Sequence, residues 1–98
     1  MNISKTVNES TLNIALEGRM DTSTAPQLDE ELKDSIGECK ELIIDFEKLE
    51  YLSSAGLRVL LAAQKTMNKQ GKMIIRNVNE SIMEVFEVTG FVDILTIE

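Results

Sequence analysis

Tyr51-Leu52-Ser53-Ser54-Ala55-Gly56-Leu57-Arg58-Val59-Leu60-Leu61 stands between two different patterns. Before it, Leu42-Ile43-Ile44-Asp45-Phe46 is nearly continuous in apolar residues, which suits a central strand covered on both faces. After it, Leu57, Leu60, Leu61 and Met67 fall near one face of a helix, and Ala62 and Ala63 allow close packing. A helix is expected over residues 54–70, with Lys65 and Lys69 at its negative end and Gly71 as its stop. A serine at such a junction can cap the helix, its hydroxyl accepting a bond from a free N–H of the first turn. The same position presents a hydroxyl at the carboxyl end of a strand, where open α/β sheets meet ligands and partners. An ordinary cap and a reactive oxygen both fit these residues.

Working outward, the strand–helix unit is repeated. Ile3–Val7 reads as a short strand, Asn8-Glu9-Ser10 supplies turn chemistry, and Leu12, Ile14 and Leu16 alternate with Thr11, Asn13 and Ala15. The two runs form a hairpin, with strands near 3–7 and 12–17. Gly18–Ser23 follows as a loop. A helix over 24–36 has Thr24 and Gln27 in capping-box spacing and Pro26 in the first turn. Asp29, Glu30 and Glu31 lie toward its positive end, Leu28, Leu32 and Ile36 form its stripe, and Gly37 can end it. Strands are placed at 41–46 and 72–76, with Glu47–Leu52 as a connector. Asn79 can cap a third helix over 80–89 carrying Ile82, Val85 and Phe86, stopped by Gly90. Residues 91–97 fit a short helix followed by a strand, or an extended tail. The alternation implies parallel crossovers. The expected fold is a single α/β domain over 1–98: a mixed sheet of four to five strands with helices mainly on one side.

Composition narrows the function. Hydrophobic residues make up 43% and charged residues 28% of 98, so the chain is globular rather than disordered. No apolar run reaches a membrane span of roughly 18 residues, and the first residues lack the apolar stretch of a signal peptide. The lone Cys39 cannot form an internal disulfide and fits a reducing cytoplasm. The net charge is −7, with no basic stripe and only four aromatic residues, which argues against nucleic acid. The acidity favours a protein partner or simply aids solubility. Histidine is absent, which argues against a zinc site and against Ser-His or Cys-His nucleophile pairs. No lysine flanks the serines, so an enzyme with a Ser54 nucleophile is disfavoured. No metal and no cofactor is expected. Asp45, Glu47 and Glu50 offer oxygen ligands of the kind magnesium takes, but a solvated acidic connector is the preferred reading.

Two loops remain as candidates. Ser53-Ser54-Ala55-Gly56 is the first: a phosphate there would meet free N–H groups of the helix start, and glycine permits close approach. Gly18-Arg19-Met20-Asp21-Thr22-Ser23-Thr24-Ala25, which also follows a strand and precedes a helix, is the second, with plain hairpin-to-helix connection chemistry an equal reading. If the strands preceding both run the same way, the loops share one sheet edge.

Gly18-Arg19-Met20-Asp21-Thr22-Ser23-Thr24-Ala25, Leu42–Phe46 and Tyr51–Leu60 together resemble STAS domains, and more closely the stand-alone bacterial anti-sigma-factor antagonists. Asn77-Val78-Asn79 and Phe86-Glu87-Val88-Thr89-Gly90-Phe91 resemble that family's later segments, so the likeness spans nearly the whole chain in order. The resemblance implies a binding module, not an enzyme. In that family the unphosphorylated protein binds an anti-sigma factor, a serine kinase of the histidine-kinase-like ATPase fold, and so frees the sigma factor. The kinase phosphorylates a serine at the start of the second helix and the complex separates. A metal-dependent serine phosphatase restores the active form. Counted back from Gly56-Leu57-x-Val59, the matching position is Ser54, with Ser53 the alternative. Members often read Asp-Ser-Ser/Thr-Gly; here Ser53 replaces the aspartate and Ala55 the second hydroxyl residue. The implied partner-binding set is Asp21, Thr22, Ser23, Ser53, Ser54, Ala55, Gly56 and Arg58. A scaffold role, or a nucleotide- or lipid-associated STAS module, is the alternative.

Overall fold

The computed structural model describes residues 1–98. Four strands form one sheet in the order β1-β2-β3-β4: β1 (Asn2–Asn8), β2 (Thr11–Met20), β3 (Glu41–Leu52) and β4 (Lys72–Arg76). The β1–β2 pair is an antiparallel hairpin, with Glu9 turning at φ 57°. The β2–β3 and β3–β4 pairs are parallel, as the crossovers α1 (Ala25–Ser35) and α2 (Ser54–Gln70) require. The third helix, α3 (Glu80–Thr89), leads into a 3₁₀ turn at Phe91–Asp93. The tail then returns, and Ile97 bridges Ile75 in parallel, a fifth strand reduced to a single bridge. The mixed sheet and three helices match the expected class.

One face of the sheet carries the core. Leu12, Ile14, Leu16 and Met20 of β2 and Leu42, Ile44, Phe46, Leu49 and Leu52 of β3 are buried together with Leu28, Leu32, Leu57, Leu60, Met67, Ile82 and Phe86 from the helices. On the opposite face of β3, Ile43 and Asp45 are only half-buried. The expectation that Leu42–Phe46 is covered on both faces is therefore corrected: helices cover one side. Cys39 belongs to the core, its sulfur 3.7 Å from that of Met67, and burial pushes its thiol pKa up.

The largest departure is the length of β3. Residues 47–52 are strand, not connector, and β2 runs on through Gly18, Arg19 and Met20. The pairing slips between Ala15 and Glu17 and again between Gly18 and Arg19, so β3 carries one extra residue at each place. Such bulges shift the inward side chains off the period of two. The buried positions of β3 become 42, 44, 46, 49 and 52, a spacing that alternation cannot reveal.

The helices follow their expected stripes in the main, but Ile36 and Val85 are only half-buried. Leu61 is half-buried rather than buried, and the inward face of α2 is Gly56, Leu57, Leu60, Ala63, Gln64 and Met67. In α1 the first turn holds no acidic residue; Asp29 instead pairs with Lys33 one turn on, at 3.0 Å. Asn79 caps α3 as expected, its side chain accepting from the Ile82 amide at 2.8 Å, and Gly90 ends the helix at φ 82°.

Candidate functional site

Because β2 and β3 are parallel, both loops that follow them leave the same end of the sheet. Met20 and Leu52 are register partners at the strand ends, and the Ser53 amide donates to the Met20 carbonyl at 2.8 Å. The chain beginning α2 is thus tied to the chain that becomes the first loop. Glycine at position 56 makes the approach close. A β-carbon there would come within 2.5 Å of Leu52 Cδ1 and 2.7 Å of the Met20 sulfur. Gly56 therefore faces the core and sets how near α2 lies to the sheet; it is not an exposed cradle for phosphate.

The two serines differ. Ser54 is the first residue of α2 and is exposed. Ser53 occupies the N-cap position with extended backbone, but its hydroxyl makes no capping bond. Its Oγ is buried and has no hydrogen-bond partner. The expected serine cap is thus absent: the Ser53 carbonyl accepts from the Leu57 amide at 3.0 Å, and the side chain adds nothing. Ala55 is half-buried. Arg58, one turn after Ser54 on α2, is exposed.

The first loop is held by its own carboxylate. Asp21 Oδ1 accepts from the Ser23 amide at 3.0 Å, the Ser23 hydroxyl at 2.7 Å and the Thr24 amide at 3.1 Å. Thr24 Oγ1 accepts from the Asp21 amide at 2.8 Å and lies 2.7 Å from the Arg19 carbonyl, to which it donates. The expected Thr24–Gln27 capping box is replaced by this knot, because Thr24 turns its hydroxyl back to the strand end. The Ser23 hydroxyl bond, joined by the amides, holds the Asp21 carboxyl below its ordinary pKa, so it stays ionised. Thr22 and Ser23 are left exposed at the tip.

Sequence reasoning missed one feature. Arg19 and Tyr51 are register partners near the ends of β2 and β3, and the Arg19 guanidinium lies 4.2 Å from the centre of the Tyr51 ring. Both are exposed, and both neighbours, Met20 and Leu52, are buried. The pair therefore sits on the helix-free side at the same sheet end. Only the bulged register brings residues 19 and 51 opposite each other, so no local pattern announces it. Asp45 Oδ1 accepts from the Glu47 amide and the Asn77 side chain, each at 2.9 Å. No three carboxylate or cysteine side chains converge as a cation site.

A family model described as STAS domain matches residues 2–98. The anti-sigma-B factor antagonist of Bacillus subtilis is 30% identical over 98 residues, covering 99% of this chain and 90% of that protein. A crystal structure of an anti-sigma factor antagonist from Mycobacterium paratuberculosis superposes with TM-score 0.88 at 20% identity, over 98% of this chain and 83% of the other. The Bacillus cell fate determinant SpoIIAA in its phosphorylated form superposes with TM-score 0.77 at 22% identity, over 99% of this chain and 91% of the other. No helix of the chain is long and apolar enough to cross a membrane.

Proposed function

The chain belongs to the STAS domain family, and from that membership we propose that it is an anti-sigma-factor antagonist switched by phosphorylation of Ser54. The name of the Bacillus subtilis relative supports the role. The observation that carries the choice of serine is the contrast between an exposed Ser54 and a buried Ser53 Oγ. A kinase needs the hydroxyl in line with the γ-phosphorus of its nucleotide. Only Ser54 offers that access without opening the strand end. In the transfer, Ser54 Oγ gives its proton to a base of the kinase and bonds the γ-phosphorus of ATP, while the bond from that phosphorus to the β,γ-bridging oxygen breaks and ADP leaves.

In its unmodified form the protein binds an anti-sigma-factor serine kinase of the histidine-kinase-like ATPase fold and frees the sigma factor. Thr22, Ser23, Ser54 and Arg58 supply the exposed contacts. Asp21, Ser53, Ala55 and Gly56 shape the two loops that present them. A neutral hydroxyl fits such an interface. A phosphate brings about −1.5 to −2 charges that must be desolvated. A loss of about 3–4 kcal/mol weakens binding several-hundred-fold. The amino end of α2 favours that same phosphate within the free protein, so the switch acts at the interface and not by unfolding. A metal-dependent serine phosphatase resets it. The protein works in the cytoplasm as a binding module, not as an enzyme.

The test is mass spectrometry after treatment with the cognate kinase, ATP and magnesium, beside binding measurements. One phosphate is expected, on Ser54. Ser54→Ala keeps partner binding and ignores the kinase; Ser54→Asp binds more weakly, though less so than the phosphorylated form. Phosphate on Ser53 would move the site by one residue. Phosphate on neither serine would end the switch reading.

A further inference from the structure

We propose that Arg19 and Tyr51 form a preassembled anchor for the same partner, extending its contact surface from the two loops onto the helix-free side of the sheet. The inference rests on the reading of this sheet end as the face that meets the anti-sigma-factor kinase, and adds the chemistry that the kinase must present there. Its motivation is geometric. The guanidinium is stacked on the ring at 4.2 Å, and each residue is locked at its backbone by the β2–β3 ladder. The Arg19 carbonyl also accepts from Thr24, so the stack and the Thr22–Ser23 tip are parts of one hydrogen-bonded unit. The Ser53 amide joins that unit to the start of α2 through Met20.

Charge selects the occupant. Of three arginines, Arg76 is paired with Glu98 at 3.2 Å. Arg19 and Arg58, both at this sheet end, pair with no carboxylate, although the chain has 17 acidic residues. Two unpaired guanidiniums in an acidic protein leave this end suited to a partner carboxylate. The Tyr51 ring positions the Arg19 guanidinium, and its planar fork can donate two parallel bonds to a carboxylate. Tyr51 is 41% exposed, enough to take an apolar contact beside that ion pair. Arginine and tyrosine are the residue types that concentrate binding energy, and a side chain already ordered in the free protein loses little entropy on docking. The occupant is therefore the kinase face carrying a carboxylate next to an apolar side chain. Ser54 lies on the same end, so a phosphate there sets a second anion among the guanidiniums that the partner's carboxylate would use.

The experiment measures affinity for the purified anti-sigma-factor kinase by calorimetry, with wild type, R19A, R19K, Y51A, Y51F and Ser54→Asp, and melting temperatures for each. Arg19→Ala and Tyr51→Ala are expected to weaken binding about tenfold or more. Tyr51→Phe keeps the ring and retains affinity. Arg19→Lys keeps the charge but not the planar fork and is weakened. Wild-type binding should fall with added salt more steeply than that of R19A, since one ion pair is missing from the variant. Melting temperatures near wild type separate a lost contact from a lost fold. If Ser54→Asp weakens binding while R19A and Y51A bind like wild type, the anchor is overturned and the switch stands. If unmodified wild type does not bind the kinase, both readings fall together.

Discussion

The Ser53 amide donates to the Met20 carbonyl at 2.8 Å, across the gap between the ends of β3 and β2. Residues 33 positions apart are thereby fixed at one edge, and the exposed Ser54 and the polar Asp21–Ser23 loop leave the same end of the sheet. The bond uses backbone groups only, so it constrains position without constraining the side chain. Its consequences can be measured.

Ser53→Ala should leave the melting temperature unchanged or slightly raised. A capping serine normally contributes about 1 kcal/mol, but here the hydroxyl is buried without a partner. Removing an unsatisfied buried group relieves its desolvation penalty. A drop of several degrees in thermal denaturation would show that the hydroxyl has a partner after all.

Gly56→Ala should destabilise the fold by about 1–2 kcal/mol, despite the better helix propensity of alanine. The new methyl meets Leu52 and Met20, which are themselves buried and have little room to turn. Gly71→Ala should cost more, because the added carbon overlaps the backbone carbonyl of Lys40, which cannot rotate away. Urea denaturation of both variants gives the order; a milder effect at Gly71 contradicts the packing described.

Leu60→Ala should cost about 2–5 kcal/mol, since the side chain is fully buried. Leu61→Ala should cost much less, on the order of 1 kcal/mol, because Leu61 is half-buried. Equal losses in equilibrium unfolding would mean that α2 is rotated from the face assigned to it.

Asp21 should titrate below the ordinary aspartate range in an NMR pH series, because Ser23 and Thr24 donate to its carboxylate. The sign follows from the lowered folded-state pKa. The stabilisation of the loop is present above the unfolded-state value and is lost as pH falls through the folded one. Order in the Thr22–Ser23 tip should accordingly persist at neutral pH and fade only in strong acid. Asp21→Ala should loosen the tip already at neutral pH, read as narrowed amide dispersion for residues 22–24, and the difference from wild type should vanish in strong acid.

Local pattern was enough for much of this protein. The hairpin, the three helices, the strands at 41–46 and 72–76 and the Asn79 cap all follow from short-range periodicity and cap chemistry. Ser54 at the opening of α2 was legible for the same reason, since strand, serine pair and helix are contiguous in the chain. Long-range contacts decided the rest. Two bulges turned an apparent connector into the far half of β3, and they set the register that stacks Arg19 on Tyr51. Thr24 bonded to Asp21 and donated its hydroxyl to the Arg19 carbonyl instead of forming a capping box with Gln27. The two serines were separated only by packing, which buried one hydroxyl at the strand end and left the other exposed. A sequence states which side chains each element carries. Which strand ends meet, and therefore which hydroxyl is left exposed, depends on sheet pairing between residues distant in the chain.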